Sequence, residues 1–352
     1  MKSKTKNLLS EGEIKKLVKV NFGDSCEVSG IEELKGGMFN AIYLVRLVDG
    51  ARNGSVGAGR ENRTKGLDKV VLKVGVIPGT TLLTYERDVM PTEVECYRLI
   101  REQTSVPVPE VLAHDFSKTH IKSNYFFMTA LEGVPLSAVS KKMEKENLGR
   151  VKAELARHLE QIHHVKGGYY GYFSDDPACQ YSTWKEAFSQ MFRQILADAR
   201  EHKVKLPYQR IEDVLKANLF YLEECDSPSL VEYDCHEGNV FVREWENGYE
   251  IEGIVDFERS FWGDAMADFP AAFILTDDIR KETEFLDAYL KASGREEFTG
   301  ADWKRFLLYR MYICVIMAAE TFRYGAVYAK MQGTWAKAQV EKCLKGLEHG
   351  EA

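Results

Sequence analysis

The sequence predicts an α+β fold: a strand-rich N-terminal part with one main helix, then a larger and mostly helical part. Three observations predict it. Apolar runs at 26–34, 40–48 and 69–76, separated by polar or glycine-bearing segments, read as successive strands. From about residue 135 the apolar spacing lengthens to a helical period, as in 148–164, where positions 148, 151, 155, 159 and 162 form one stripe. The stretch 230–258 then brings two strands back among the helices, with oxygen-bearing side chains at their ends.

Each element has a local reason. Ser10-Glu11-Gly12-Glu13 has the S-x-x-E form of a capping box, and Ile14, Leu17, Val18 and Phe22 follow at helical spacing, so a short helix precedes the first strand. Lys35-Gly36-Gly37-Met38-Phe39 joins the first two strands. A glycine pair there is either a hairpin turn or a loop whose backbone N–H groups can lie against phosphate. Residues 49–68 are polar, glycine-rich and aperiodic, which predicts a hairpin tip or insertion. Lys73 sits inside the apolar run Val70–Val76, where an ammonium group is costly unless it faces out or is paired. Residues 92–102 read as the main helix of this part, with Glu93 and Glu95 on opposite sides of it. Pro107 and Pro109 end that helix and hold the chain extended ahead of the next strand. A further strand, Tyr125–Met128, runs into Thr129-Ala130-Leu131-Glu132-Gly133.

After 135 the helices follow one another: 148–164, 184–200, 211–224, 279–292, 301–323 and 333–347. The segment after Asp302 is apolar nearly all round and should be buried. His158, His163 and His164 lack the pattern of metal ligands and read as structural.

Composition limits the class. The chain has 352 residues, 45% hydrophobic and 29% charged, enough for one large core or two lobes. A formal net charge of −7 disfavours a nucleic-acid partner. The seven cysteines are scattered, with no C-x-x-C pair, and no apolar h-region or membrane-length run is present, so the expectation is a reduced, cytoplasmic protein away from the membrane.

The chemistry concentrates in 230–258, LVEYDCHEGNVFVREWENGYEIEGIVDFE. Two strands joined by a turn around Asn247-Gly248 would return Asp256 to the loop that holds Asp234 and Asn239. Hard oxygen donors of this kind, with no cysteine or histidine pair, suit Mg²⁺. The order D-C-H-E-G-N-V-F-V and then I-V-D-F-E resembles the protein-kinase-like superfamily, and within it the aminoglycoside phosphotransferase and small-molecule kinase family, whose usual text is H-G-D-x-x-x-x-N followed by I-D-[FWL]. V-P-V-P-E-V-L at 106–112 and G-D-x-x-x-D at 263–268 resemble the same family.

The resemblance implies a bilobal kinase-like fold, with an N-terminal nucleotide-binding lobe over 1–131 and a C-terminal catalytic and substrate-binding lobe over 132–352. It implies ATP and Mg²⁺ as cofactors and transfer of the γ-phosphate to a hydroxyl of a small molecule, cationic or polyhydroxylated. Asp234 would orient the acceptor hydroxyl, and Asn239 and Asp256 would hold the metal. Gly36, Gly37 and Lys73 would meet the nucleotide phosphates. A glutamate of the following helix would pair with the lysine, and Glu95 fits the family's spacing to V-P-V-P. Thr129 (carbonyl) and Leu131 (amide) would meet the adenine edge, and Gly133 would give the hinge freedom. Asp264 and Asp268 would brace the catalytic loop. Only six residues separate Asp256 from Gly263, too few for the activation segment of a protein kinase, which favours a small acceptor. The sequence departs from the family where Glu232-Tyr233 stands for the usual His-Gly. An alternative is therefore a kinase fold that has lost turnover and serves binding or regulation. Glu258, Glu320 and the loop 169–180 point to a cationic or polyhydroxyl acceptor.

Overall fold

The computed structural model describes residues 5–35, 39–48, 64, 66–246, 248–276 and 278–349. The glycine pair Gly36-Gly37, most of the insertion at 49–68, and Asn247 at the predicted turn lie outside them. Two compact units emerge, one of residues 1–81 with 109–131, the other of 82–108 with 132–352.

In the first unit, helix α1 (Glu11–Phe22) carries the predicted capping box, with Ser10 and Glu13 serving each other's backbone N–H groups. Strands β1 (Val28–Glu33), β2 (Ala41–Leu47), β3 (Lys69–Val74), β4 (Val111–Asp115) and β5 (Tyr125–Thr129) form one antiparallel sheet in the order β1-β2-β3-β5-β4. Central β3 is nearly all buried, as a strand with both faces covered should be. The apolar stripe of α1 (Ile14, Leu17, Val18 and Phe22) packs with Tyr43, Val45, Leu72 and Phe127 of the sheet into one core. Lys73 stands between Ile42 of β2 and Phe126 of β5 and is 3% exposed.

The second unit opens with α2 (Val89–Gln103). Short strand β6 (Val134–Pro135) and helix α3 (Leu136–Val139) lead to α4 (Lys145–His164). Strand β7 (Gly171–Tyr172), helices α5 (Trp184–Glu201) and α6 (Tyr208–Asn218), and strand β8 (Ser229–Val231) follow. The predicted hairpin is β9 (Val240–Trp245) with β10 (Gly248–Ile254), antiparallel and extended by β6. Strand β11 (Phe261–Gly263) lies between β7 and β8. The chain then runs through α7 (Asp268–Ala272), α8 (Thr283–Ser293), α9 (Gly300–Ala319) and α10 (Ala326–His349). Among the described residues no helix is long and apolar enough to cross a membrane.

Helix α9 is buried nearly all round, as its sequence predicts, and its charged members are all answered. Arg305 pairs with Asp264 at 2.8 Å and with Asp302, and Lys304 donates to the carbonyl of Gly346. An aromatic stack lies beside the loop that follows β8. Trp184 lies parallel to Phe261 at 5.5 Å, Phe261 lies 5.0 Å from Tyr233, and the indole N–H of Trp184 donates to the hydroxyl of Tyr309.

Gly133 was expected to loosen a hinge, and the structure corrects this. Its N–H and that of Glu132 both donate to the carboxylate of Glu252, at 2.5 and 2.9 Å. A Cβ at 133 would stand 2.3 Å from the carbonyl oxygen of Val242, so glycine is needed there for close approach, not for freedom.

Candidate active site

The loop between β8 and β9 holds the candidate catalytic residues, and its backbone is fixed from inside. Asp268, fully buried at the start of α7, accepts hydrogen bonds from the amides of Glu232 (3.1 Å) and Tyr233 (2.5 Å) and from His163 Nε2 (2.8 Å). His163 in turn meets the hydroxyl of Tyr289 at 2.7 Å. His163 is therefore structural, and Asp268 braces the loop directly. Asp264 works one step away. It caps the amide of Met266 and takes Arg305 and the hydroxyl of Tyr309.

Tyr233 occupies the position where the family usually has glycine, and its φ of 64° lies in the left-handed region. A non-glycine residue there costs about 1–2 kcal/mol. Burial of its ring and donation from its hydroxyl to the carbonyl of Tyr309 at 3.1 Å offset that cost.

Asp234, Asn239 and Asp256 are linked through the backbone. The Asn239 side-chain N–H donates to the carbonyl of Asp234 at 2.9 Å, and the amide of Val255 donates to the carbonyl of Asn239 at 3.0 Å. With its NH₂ committed, Asn239 presents its amide oxygen. Asp256 follows β10 with φ 74°, and its amide accepts no freedom either, since it donates to the hydroxyl of Tyr97 at 3.1 Å. The hydroxyl of Tyr97 in turn donates a hydrogen bond to Glu93 at 3.0 Å, so α2 is tied to the residue at 256.

Glu93 and Glu95 separate cleanly. Glu93 is 1% exposed, and carboxylate oxygens of Glu93, Asp256 and Glu258 lie within 4.8 Å of one another. Glu95 lies on the outer face of α2, paired with Arg98 at 2.6 Å. Glu95, the glutamate expected to face inward, is thus on the exposed side, and the buried stripe of this helix runs through Glu93, Cys96, Tyr97 and Ile100. Tyr97 is a site residue that the sequence analysis does not single out; its place one turn after Glu93 is the signal that could have found it.

Asp234 also faces Arg259, whose Nε stands 3.6 Å from Asp234 Oδ2 and whose Nη2 stands 3.5 Å from Glu320. Glu320 also takes the side-chain amide of Gln332 at 2.8 Å, and burial pushes its carboxyl above the usual range. It is an internal group, so the expectation that it points to a cationic or polyhydroxyl acceptor is corrected. Asp176 caps the turn at Ala178. Lys73, Thr129 and Leu131 belong to the first unit, where the amide of Thr129 donates to the carbonyl of Glu110.

Comparison with known proteins fits this architecture. No curated protein matches the chain. Among solved structures, a thermostable mutant of aminoglycoside phosphotransferase APH(4)-Ia in ternary complex with AMP-PNP and hygromycin B is similar, with 17% identity, 96% of this chain and 99% of that one covered, and a TM-score of 0.61. A putative aminoglycoside phosphotransferase from Ralstonia eutropha JMP134 gives 13% identity, 96% and 98% coverage and a TM-score of 0.63. The streptomycin–ATP–APH(2")-IIa ternary complex gives 14% identity, 95% and 97% coverage and a TM-score of 0.57. At these identities the likeness shows the fold, an α+β kinase-like fold with a five-stranded antiparallel N-terminal sheet and a mostly helical remainder. The family model for the phosphotransferase enzyme family, APH, matches residues 56–309, well over half of the chain, and the protein belongs to that family.

Proposed function

We propose that the protein transfers the γ-phosphoryl group of ATP to a hydroxyl of a small molecule. The observation that carries this reading is the fixed loop with Asp234, Asn239 and Asp256 joined through short backbone links, in a chain of the phosphotransferase family. Asp234 accepts a hydrogen bond from the acceptor hydroxyl and aims it for in-line attack. Phosphoryl transfer passes through a loose transition state, so aiming the hydroxyl matters more than strong basicity.

Asn239 and Asp256 would hold Mg²⁺. The donor set fits a hard cation: an amide oxygen on a side chain whose NH₂ is held by the Asp234 carbonyl, and a carboxylate with two others within 4.8 Å. Bound there, Mg²⁺ supplies charge compensation for the phosphate oxygens. Lys73 is assigned to the nucleotide phosphates, Thr129 and Leu131 to the adenine edge, and Gly36-Gly37 to the phosphate loop. The role given to a glutamate of α2 passes to Glu93. The N-terminal region to residue 131 would serve nucleotide binding, and 132–352 catalysis and the acceptor.

The acceptor is a hydroxylated small molecule, aminoglycoside-like, a sugar or an amino alcohol; the complexes of the similar structures with hygromycin B and streptomycin support the first of these. Glu232-Tyr233 in place of His-Gly supports a second reading, a kinase fold without turnover. One experiment separates the two: incubation of the full chain with ATP, Mg²⁺ and a panel of hydroxylated amines and sugars, with product read by mass. A phosphorylated product is expected, and Asp234→Asn lowers its rate about 10²–10⁴-fold. ATP binding without any product across the panel favours the second reading. An Asp234→Asn variant as fast as wild type removes that residue from the mechanism.

A further inference from the structure

Glu232 stands out in the catalytic loop because it is fully buried and its two carboxyl oxygens are treated differently. Oε2 accepts the amide of Asp234 at 2.6 Å, while Oε1 is buried with no hydrogen-bond partner among the described residues. The charges around it explain what such a group must do. On the loop itself are Asp234 and Cys235; from α7 comes Asp268, from the end of β10 Asp256, and from α2 Cys96. Asp268 has His163 opposite it and Asp234 has Arg259, whereas the ion pairs of the described residues give Glu232 no cation. Burial pushes the thiols of Cys96 and Cys235 up, so neither adds a charge.

An ionised Glu232 in this buried loop would be a fourth carboxylate beside Asp234, Asp268 and Asp256, with no ion-pair partner of its own among the described residues. We propose that Glu232 is a positioning residue that works as a neutral carboxylic acid, holding the Asp234 amide on Oε2 and keeping its proton on Oε1. This rests on the role of Asp234 proposed above. Burial, then Asp268, then Asp234 push its carboxyl well above the usual range, in agreement with the geometry. A neutral acid offers one acceptor and one donor, as a neutral histidine does, so the departure from the family's usual residue keeps the same hydrogen-bonding capacity.

The proposal has a definite sign. The folded chain keeps this proton to higher pH than the unfolded chain, whose glutamate titrates near about 4.3. The folded state therefore binds more protons, and its stability falls as pH climbs from that value toward the raised one. Glu232→Gln removes the titration and keeps an acceptor. It should be more thermostable than wild type at about pH 8, with the advantage shrinking as pH falls toward about 4.3.

The test is infrared spectroscopy of the full-length protein near neutral pH, joined to a pH–rate profile. A protonated-carboxyl band is expected in wild type, lost in Glu232→Gln and kept in Glu320→Gln, which removes the other acid raised by burial. If Glu232→Gln fails to fold, the band in Glu320→Gln decides alone. Glu232→Gln should turn over within about 3-fold of wild type and lose the alkaline fall in rate that ionisation of Glu232 imposes. Absence of the band, or an unchanged alkaline limb in Glu232→Gln, overturns the proposal. The band and the stability profile need no acceptor, so they separate failure of this inference from failure of the proposed reaction.

Discussion

Asp268→Ala should cost the protein a large part of its stability, and the structure gives the size. The side chain is fully buried and accepts three hydrogen bonds, from the amides of Glu232 and Tyr233 and from His163. Truncation leaves two backbone N–H groups and an imidazole nitrogen in a dry site. Each orphan costs about 1–3 kcal/mol, and partial relaxation brings the sum to about 3–5 kcal/mol, the usual result of removing one partner of a buried pair. The left-handed backbone of Tyr233 loses its support in the same step. Asp268→Asn is the control. It keeps the shape and one acceptor oxygen, so about 1–3 kcal/mol is expected. The assay is the urea midpoint of the full chain followed by circular dichroism, with the thermal midpoint as a second reading. At about 2–4 °C per kcal/mol, the alanine variant should melt about 6–20 °C lower. An alanine variant within about 1 kcal/mol of wild type, or one no worse than the asparagine variant, refutes the view that Asp268 holds the loop.

Two further outcomes follow from the site. Glu95→Ala should leave stability within about 1 kcal/mol and ATP-dependent turnover unchanged, because its pair with Arg98 is exposed, whereas Glu93→Ala should lower turnover about 10-fold or more. Equal effects of the two in steady-state kinetics would return the assignment to its starting point. Gly133→Ala should destabilise by about 1–3 kcal/mol in urea denaturation, since the added methyl meets the backbone of Val242; a neutral result would mean that the strand yields.

Much of the fold was legible because periodicity is a strong signal. The strands at 28–33, 41–47 and 69–74 fall inside the predicted runs, and the capping box at Ser10 marks the start of α1 as expected. The hairpin that returns residue 256 toward 239 was also readable, from two apolar runs and a short turn. What was not legible depends on neighbours distant in sequence. Glu93 against Glu95 was decidable from the buried stripe of α2, but family spacing outweighed it. Gly133 reads as a flexible residue until Val242 and Glu252 are seen pressed against it. Glu232 reads as an added charge until its burial among other acids shows that it cannot easily carry one. Arg259 gave no signal at all, because its partners lie 25 residues before and 61 after it.

The stacked rings under the loop give the protein a built-in optical probe. Trp184 is 1% exposed and stands two ring contacts from Tyr233, through Phe261. Its emission should sit to the blue of that of exposed Trp245, and a shift of the backbone at 233 reaches it through Phe261 and through Tyr309, which bonds both residues. Excited selectively after replacement of the other tryptophans, this indole would register motion of the loop in real time without an attached dye.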